Sequence, residues 1–412
     1  MKNIRVKYFI QTPEDPRKIA QTMATMQSTG TWQKLDRETK KIVSRFGAKV
    51  YSVSKTAQRA GALPTKYKNK RKNAAIVEID YPYNNFGFNI PMLLTTVAGE
   101  IFDMQELLSV KLLDIEFPKE YLNKFQGPKF GLEGSRKIAG AYDRPLFGAI
   151  TKPCVGITPK EIARLAYEVS CAGADFIKDD ELLADAPYNR LKDRVKAVSA
   201  GLKKAYEETG KTTMYAFNVT DDPDKVLGLH DLVVKGGGRA IMFNVLAGGF
   251  GTLTMLSKHT QVPIHCHRDF SVAAIRSGHI GLSSALFTKL TRLCGADQIQ
   301  CGGIDGYLYE TDEEILENFK TCLAPLGKIK KVLPVSSGGE WAGKIPINMR
   351  KIKNSDYMFM AGGGVFGHPD GGYAGMRSLI IAYETWKNGK KLETSKDKTL
   401  KRAIEKFGKV VY

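Results

Sequence analysis

Two hydrophobic periods alternate over the first 125 residues of the chain. Apolar and polar residues follow each other with the two-residue period of strands in 5–11 and 74–81. They recur at helical spacing in 16–27 and 90–108. This mixture predicts a compact α+β domain over residues 1–125.

Beyond residue 126 the pattern becomes regular, with short β-rich runs separated by amphipathic stretches such as 160–171, 190–206 and 312–322. Eight strands alternating with helices predict a closed parallel (β/α)8 barrel over 126–412, the open doubly wound sheet being the structural alternative. The eight runs are 146–153, 176–181, 213–220, 240–247, 262–268, 298–303, 332–339 and 358–364.

Polar and glycine-rich residues gather at the carboxyl ends of these runs. In a (β/α)8 barrel this end carries the catalytic residues, because the loops leave the strands there and form a mouth open to solvent. The pattern therefore indicates an enzyme. The residues concerned are Lys152, Lys178, Asp179, Asp180, Glu181, Asn218, Asn244, His265, His267, Gln300, Ser336, Ser337, Gly362, Gly363 and Gly364.

Composition indicates the cellular compartment and the redox state of the cysteines. It contains no run of about 18 apolar residues and begins without the apolar stretch of a signal peptide, so we expect a cytoplasmic protein. Its six cysteines show no CxxC spacing and lie mostly among apolar neighbours. They predict reduced, buried thiols rather than a disulfide framework or a zinc site.

The formal net charge of +19 would draw anions toward the protein, which suits nucleic acid or phosphorylated metabolites. The densest basic run, 66–72, lies in a Gly/Pro/Lys-rich stretch from 55 to 72 that is typical of a solvated loop. No recognised nucleic-acid motif accompanies it. We expect a phosphorylated small molecule as the partner, and neither nucleic acid nor a membrane.

Paired carboxylates end the second barrel run. Asp180 and Glu181 follow the apolar residues Phe176 and Ile177, so their carboxylates should stand at the barrel mouth. Hard oxygen ligands of this kind suit Mg²⁺. Lys178 shares a face with Asp180 under strand alternation. Taken alone, this lysine would be an ion-pair partner of the carboxylates.

Seven short motifs extend over nearly the whole chain in the order found in the large subunit of RuBisCO. Each one is weak by itself, but together they resemble the RuBisCO superfamily, which implies the (β/α)8 barrel preceded by a ferredoxin-like domain. The motifs are STGTW at 28–32, GPKFG at 127–131, KP at 152–153, FIKDDE at 176–181, HCHR at 265–268, SGG at 337–339 and GGGVFGHP at 362–369.

The resemblance implies a metal centre. Lys178 would react with CO2 to form a carbamate and, with Asp180 and Glu181, hold one Mg²⁺. The metal would act as a Lewis acid on a substrate carbonyl and lower the cost of forming an enolate beside it. Lys152 matches the general acid/base lysine of the family, with a pKa that neighbouring cations and the metal would lower toward neutrality.

The resemblance also implies a phosphate site. His267 and Arg268 match a histidine and an arginine that contact the substrate and its phosphate, while we expect a structural role for His265. Two glycine-rich runs match loops whose backbone N–H groups receive the phosphate, the alternative being tight turns after strands. These runs are Ser337, Gly338, Gly339 and Gly362, Gly363, Gly364.

Several positions depart from RuBisCO. Tyr307 stands where the sixth loop of a true RuBisCO carries a lysine, and Met26 replaces the glutamate that pairs with that lysine. Cys154 replaces a second lysine, Gln300 a substrate-binding histidine and Glu100 an asparagine of the CO2 site. The enolising parts remain while the parts for adding CO2 are gone. This selects the RuBisCO-like proteins of the form IV type.

The leading prediction is thus an Mg²⁺-dependent enolase or isomerase of a phosphorylated ketose or diketone. The branch nearest in appearance is the methionine-salvage enolase, which acts on 2,3-diketo-5-methylthiopentyl-1-phosphate. Its base is a lysine at the position of Glu100, so Glu100 is either a base itself or an ion-pair partner of Lys129 or of a substrate-facing arginine.

Three other functions stay open. The same enolate arises when a phosphorylated 3-oxo sugar acid loses CO2, with Lys129 as a candidate cation for the carboxylate. A non-catalytic regulatory or binding protein is the alternative from another class, and genuine carboxylation ranks last. In this superfamily the N-terminal domain of one subunit covers the barrel mouth of another. We therefore expect a homodimer or a higher homo-oligomer, in which Thr31, Trp32 and Glu100 complete a neighbour's site.

Overall fold

The computed structural model describes residues 3–31, 35–65 and 72–412. The chain forms two compact units. Among the described residues, no helix is both long and apolar enough to cross a membrane. The first unit comprises Met1–Gln126, Phe270–Leu290 and Leu326–Ile329, and the second comprises Gly127–Asp269, Thr291–Pro325 and Lys330–Tyr412.

Strands are numbered along the chain. They are β1 Asn3–Thr12, β2 Lys49–Lys55, β3 Asn73–Pro82, β4 Ser109–Glu116, β5 Leu146–Ile150, β6 Phe176–Lys178, β7 Met214–Asn218, β8 Ala240–Asn244, β9 Ile264–His267, β10 Ile280–Leu282, β11 Gln298–Gly302, β12 Leu333–Ser336 and β13 Met358–Ala361.

Helices are numbered in the same way, and single 3-10 turns occupy Tyr83–Asn85, Glu100–Asp103, Ala342–Lys344 and Leu392–Thr394. The α-helices are α1 Pro16–Met26, α2 Lys40–Phe46, α3 Ile90–Ala98, α4 Lys119–Leu122, α5 Gly131–Ala139, α6 Pro159–Cys171, α7 Leu191–Thr209, α8 Pro223–Lys235, α9 Val245–Gly248, α10 Phe250–His259, α11 Val272–Ile275, α12 Ser284–Leu293, α13 Asp312–Leu323, α14 Ile345–Ile352, α15 Gly363–Phe366, α16 Gly371–Lys387 and α17 Lys398–Phe407.

The first unit is built on a five-stranded sheet in the order β10-β4-β1-β3-β2. Strands β1 to β4 pair antiparallel with their neighbours, and β10 joins β4 in parallel. The alternating residues Ile4, Val6, Tyr8 and Ile10 of β1 are fully buried. This sheet with its helices confirms the α+β prediction, including the strands at 5–11 and 74–81 and the helix that begins at residue 16.

The predicted helix over 90–108 is wrong beyond Ala98. Gly99 leaves the helical conformation with ψ −114°, and a side chain there would lie 2.5 Å from the carbonyl oxygen of Thr95. The strand β4 that follows escaped prediction because its buried position 111 holds a lysine, which breaks the alternation. The ammonium of Lys111 donates to the carbonyl oxygens of Ile275 (3.0 Å) and Ser277 (2.6 Å), so its burial is compensated.

The second unit contains a closed barrel in the order β11-β12-β13-β5-β6-β7-β8-β9, with parallel pairing throughout. All eight predicted strands are present, and the open sheet is excluded. Large apolar side chains such as Phe176, Met214, Met242 and Met358 fill the interior. Most strands end before the predicted runs do: residues 245–248 are helical, and β13 stops at Ala361. The polar residues thus lie at or just beyond the strand ends.

Candidate active site

Lys178 is the last residue of β6, and its side chain is fully buried. Its Nζ donates to Glu181 Oε2 (2.7 Å) and to the carbonyl oxygen of Asp179 (3.0 Å). A buried ammonium is tolerated only with such partners. Burial raises the pKa of Glu181, but the attraction of Lys178, which also donates a hydrogen bond to it, outweighs burial and lowers that pKa to about 2. Glu181 is therefore an anion at neutral pH.

Lys152 reaches the same cluster from the loop after β5. Its Nζ lies 2.5 Å from Asp180 Oδ2 and 3.1 Å from Cys154 Sγ. Burial lowers the pKa of Lys152, but the hydrogen bond to Asp180 and the charge of Glu181 outweigh burial and raise it. The expected lowering of this pKa is thus wrong for the chain by itself, because carboxylates rather than cations surround the ammonium.

Asp179 faces away from the mouth and anchors the end of β6. Its Oδ2 accepts from Arg194 Nε (3.0 Å) and from the backbone N–H of Asn218 (2.9 Å), and its Oδ1 accepts from the Tyr215 hydroxyl (2.6 Å). Asp179 and Arg194 are both fully buried. With Asp179 held in this network, Lys178 and Asp180 on either side are turned to the opposite face.

His267 ends β9 beside Glu181. Its Nε2 lies 3.5 Å from Glu181 Oε2, and its Nδ1 lies 3.3 Å from the backbone N of Asp269, which donates to it. Burial and the nearby Lys178 lower the pKa of His267 well below its ordinary value. The ring is therefore neutral, and since Nδ1 accepts, Nε2 carries the proton that points toward Glu181.

Asp269 is a site residue that the sequence did not single out, although it directly follows the HCHR motif. Ligand atoms of Glu181, His267 and Asp269 lie within 4.8 Å of one another. Burial raises the pKa of Asp269, and the charges of Glu181 and Asp180 raise it further. This repulsion among carboxylates is relieved by a cation, and a hard oxygen donor set fits Mg²⁺.

Three buried polar side chains lie at the mouth: His265 and Gln300, which interact with each other, and Asn244, whose Oδ1 has no hydrogen-bond partner among the described residues. They lie on the neighbouring strands β9, β11 and β8. Burial lowers the pKa of His265 to about 3, and its Nδ1 lies 3.2 Å from Gln298 Oε1. Buried polar atoms usually find a partner. A bound molecule with hydrogen-bond donors would provide one for Asn244.

The two glycine-rich runs flank the mouth directly after β12 and β13. Gly338 and Gly339 have backbone φ angles of +131° and +90°, which residues other than glycine rarely adopt. A side chain on Gly338 would lie 2.7 Å from Leu308, and one on Gly362 would lie 3.0 Å from Lys152 Cε. The second run is therefore packed against the lysine of the site, whereas the first run lies against the side chains of Leu308 and Tyr307.

The other members of the two runs have different surroundings. Ser337 is buried, and its backbone N–H donates to the carbonyl oxygen of Gly302 (3.2 Å). Gly363 is exposed with open space around its α-carbon, whereas Gly364 lies against the backbone of Glu340 and Trp341. Gly363 therefore has the most accessible backbone of the second run. The phosphate role of both runs stays a prediction.

Arg268 forms a bidentate ion pair with Glu310, one of whose two bonds joins Nη1 and Oε1 at 2.6 Å. Both side chains are buried. The sequence did not suggest Glu310 as a partner, since it lies 42 residues further along the chain. In this conformation the guanidinium is committed to a carboxylate. Its contact with a substrate phosphate stays a prediction.

Lys129 lies at the other end of the barrel, so its predicted place in the site is wrong for this chain. Its Nζ donates to the carbonyl oxygen of Thr260 (2.6 Å), in the segment that precedes β9. The next residue, Phe130, donates its backbone N–H to Asp297, just before β11. Strands of four or five residues span about 13–16 Å. The GPKFG motif thus closes the amino-terminal end, opposite the carboxylates.

The remaining candidates belong to the first unit. Glu100 begins a 3-10 turn and is exposed, and with Met26 it lines a cavity of about 960 Å³ formed by residues of this unit. Thr31 is half-buried, and Trp32 lies outside the described residues. The contribution of these three residues to a neighbour's site stays a prediction.

Comparison with known proteins agrees with this architecture. The model of the ribulose bisphosphate carboxylase large chain matches residues 131–407 with its catalytic domain and 3–121 with its N-terminal domain. A ribulose bisphosphate carboxylase-like protein of Chlorobaculum tepidum is 36% identical over 94% of this chain and 89% of its own length. A 3-oxo-isoapionate-4-phosphate decarboxylase of Rhizobium rhizogenes is 33% identical over 93% of this chain and 92% of its own.

Solved structures show the same similarity. A rubisco-like protein from Burkholderia fungorum has a TM-score of 0.90 at 32% identity, covering 98% of this chain and 100% of its own. An octameric Rubisco from Pyrococcus horikoshii OT3 also reaches 0.90, at 31% identity over 98% and 93%. The rubisco-like protein MtnW of Alicyclobacillus acidocaldarius reaches 0.87, at 29% identity over 98% and 100%.

Proposed function

This chain belongs to the RuBisCO large-chain family, and we propose that it is a RuBisCO-like enzyme that enolises a phosphorylated ketose or diketone with Mg²⁺, without fixing CO2. The observation that carries the proposal is the cluster at the barrel mouth. Lys152 Nζ lies 2.5 Å from Asp180, and Lys178 Nζ lies 2.7 Å from Glu181. A protein that only binds a ligand would have no need of this arrangement.

The donor set suits a divalent cation. Lys178, as a carbamate, would hold Mg²⁺ together with Asp180 and Glu181, and Asp269 offers a further carboxylate beside them. The bound ion would supply Lewis-acid polarisation of a substrate carbonyl. Carbamate formation replaces the buried cation of Lys178 by an anion, and the neutral Nε2–H of His267 can then donate to an oxygen of the cluster or of the substrate.

Lys152 is the residue that handles the proton. In the chain by itself Asp180 keeps the proton on Nζ, so Lys152 is a general acid for an enolate oxygen. When a cation or a substrate group takes up the charge of Asp180, this attraction weakens and Nζ can release its proton to solvent. The neutral amine is then able to accept a proton from the carbon next to a carbonyl. The side chain is 31% exposed, so a substrate can reach it.

The glycine runs would bind the substrate phosphate through backbone N–H groups. Gly362 packs against Lys152 Cε, and β13 and β5 are neighbours in the barrel. A substrate whose phosphate is held there would have its carbonyl group within reach of Lys152. The binding energy of the phosphate would thus place the reacting carbon beside the acid/base group.

The loop that serves CO2 addition in RuBisCO is altered here. Tyr307 replaces the lysine, and its side chain is highly exposed. A phenol carries no cation that could stabilise a newly formed carboxylate. Carboxylation therefore stays the least favoured activity.

Decarboxylation of a phosphorylated 3-oxo sugar acid is the second candidate. It is favoured by the relative named 3-oxo-isoapionate-4-phosphate decarboxylase, which is similar over nearly the whole chain. Loss of CO2 from such an acid yields the enolate that proton abstraction also gives, so the same residues serve. Lys129 lies at the far end of the barrel, so it is not the cation that would bind the carboxylate of such a substrate.

We also propose that the chain acts as a homo-oligomer. Solved relatives are described as octameric and dimeric. Thr31, Trp32 and Glu100 would then complete the site of a neighbouring subunit. Sedimentation equilibrium checks this proposal, and an enzyme that is fully active as a monomer would contradict it.

Proton NMR in D2O tests the proposed reaction. The protein with Mg²⁺ and bicarbonate is mixed with a panel of phosphorylated ketoses, diketones and 3-oxo acids. We expect loss of the signal next to a carbonyl, or conversion, with the wild type and not with Lys178→Ala. Lys203→Ala, on the exposed face of α7, is the matched control and should behave as wild type. If no member of the panel exchanges or reacts although Mg²⁺ binds, the regulatory or binding function becomes the better proposal.

A further inference from the structure

Glu340 is a buried carboxyl group that takes no part in the proposed reaction. It directly follows the first glycine run and is 2% exposed. Its Oε1 lies 2.7 Å from Ser336 Oγ, and its Oε2 lies 3.3 Å from Asn348 Nδ2. Ser336 and Asn348 are themselves fully buried. The three side chains form a closed polar cluster behind the loop after β12.

The hydrogen bonds of this cluster indicate the protonation state of Glu340. Asn348 Nδ2 also donates to the carbonyl oxygen of Lys344 (3.0 Å), which orients the amide. Its Oδ1 then faces Ser336 Oγ at 2.8 Å, so the single hydroxyl proton of Ser336 is donated to Asn348. The 2.7 Å contact between Ser336 Oγ and Glu340 Oε1 still needs a proton, and only Glu340 can supply it. Every polar atom is satisfied when Glu340 is a neutral acid.

The carboxyl group lies where three loops of the barrel mouth meet. A side chain on Gly303, after β11, would lie 2.9 Å from Glu340 Oε1 and 3.2 Å from the backbone N of Gly338, after β12. The carboxyl oxygen and this N–H are therefore no more than about 6 Å apart. The α-carbon of Gly364, after β13, lies against the carbonyl oxygen of Glu340. The residue thus touches both glycine runs that would receive a phosphate.

We propose that Glu340 is a positioning residue that holds the glycine loops together as a neutral acid, and that its ionisation expels an anion from these loops. The inference rests on the proposed function insofar as the loops are its phosphate site. A carboxylate within about 6 Å of a receiving N–H would repel a bound dianion strongly in this poorly solvated place. The neutral acid exerts no such repulsion.

The charged groups around Glu340 are few. Lys344 favours its ionised form, whereas Asp305 and burial oppose that form, and the buried Tyr357 also interacts with it. Lys344 lies 3.8 Å from Asp305 Oδ2, so its charge is shared with that carboxylate. Burial is the largest influence and raises the pKa of Glu340 to about 8. The proton suggested by the geometry is thus retained at neutral pH.

Glu340→Gln is a close mimic of the neutral acid. Its amide N–H₂ can donate to Ser336 Oγ, and its carbonyl oxygen can accept from Asn348 Nδ2, in the same shape and without an ionisable proton. The variant should therefore fold and keep the loops in place. Glu405→Gln, at an exposed position of α17, is the matched control.

Calorimetric titration with sulfate between about pH 6.5 and about pH 9.5 measures the effect, because sulfate keeps its charge over this range. We expect affinity of the wild type and of Glu405→Gln to fall by about tenfold or more across pH 8. Glu340→Gln should bind sulfate as the wild type does at low pH and lose much less affinity at high pH. An equal loss in Glu340→Gln and the wild type would overturn the inference while leaving the phosphate site intact.

Infrared difference spectroscopy gives a readout that needs no ligand. The wild type minus Glu340→Gln should show the carbonyl band of a protonated carboxylic acid at about pH 6.5, and this band should vanish above about pH 8. Absence of the band at the lower pH would overturn the inference. Absence of sulfate binding at every pH would remove the anion site itself, and with it both the inference and the phosphate part of the proposed function.

Discussion

Replacing Asp179 by alanine should destabilise the barrel although Asp179 is not a proposed metal ligand. The change leaves Arg194, which is fully buried, without its only carboxylate partner among the described residues. It also removes the acceptor of the Tyr215 hydroxyl (2.6 Å) and of the backbone N–H of Asn218 (2.9 Å). The end of β6, with Lys178 and Asp180, loses its anchor.

The expected cost follows from what remains. Arg194 keeps its hydrogen bonds to Asn189 (2.8 and 3.0 Å) and to the carbonyl oxygen of Ala184 (2.6 Å), so the guanidinium stays solvated by the protein. Its charge, however, is uncompensated. Removing one partner of a buried ion pair costs about 3–5 kcal/mol in free energy of unfolding, and we expect a value in this range. Turnover should fall as well, because Lys178 is no longer held.

Urea unfolding of Asp179→Ala, Arg194→Met and the double variant forms the assay. If the stability resides in the pair, the double variant should lose less free energy of unfolding than the two single variants lose together. The difference should be at least about 1 kcal/mol, since no buried charge remains unpaired in the double variant. Additive effects would refute the reasoning, as would a loss below about 1 kcal/mol in Asp179→Ala.

Three other changes test separate parts of the structure. Glu340→Gln should be more stable than the wild type above pH 5, because unfolded Glu340 ionises near its ordinary pKa of 4.5 while the native group keeps its proton to about pH 8. The wild type then loses up to about 1.4 kcal/mol per pH unit over this interval, a slope that thermal unfolding of the variant should lack. Lys129→Met should retain activity and lose only about 1 kcal/mol, the hydrogen bond to Thr260, in urea unfolding; abolished turnover would restore Lys129 to the site. Asp269→Asn should weaken Mg²⁺ binding in calorimetry by about tenfold, and unchanged affinity would remove Asp269 from the ion's surroundings.

The local hydrophobic pattern was sufficient to predict the strands of the barrel and part of the secondary structure of the first unit. Eight β-rich runs at regular spacing predicted eight strands, because the hydrophobic period reports the conformation of each segment. Their alternation with helices favoured a closed barrel over the open doubly wound sheet, and the structure decided between the two. The same logic failed at Lys111 and beyond Ala98. At Lys111, a buried ammonium is satisfied by distant carbonyl oxygens, which the local hydrophobic period does not show. Beyond Ala98, the turn at Gly99 ends the helix although the helical period continues.

The candidate site was predictable where its residues are neighbours in sequence. Lys178, Asp180 and Glu181 lie in one motif, and strand alternation with the barrel's polarity indicated that they face the mouth. Asp269 directly follows another motif, but only the fold brings it to Glu181.

By itself, then, the sequence determined the alternation of strands and helices in the barrel, the family resemblance and the residue types at the mouth. Only the tertiary structure decided which end of the barrel Lys129 occupies, that Arg268 pairs with Glu310, and that Asp180 raises the pKa of Lys152. The physical reason is that charge and hydrogen-bond energies depend on distance and burial in space. A local pattern holds no such information for residues that are tens of positions apart.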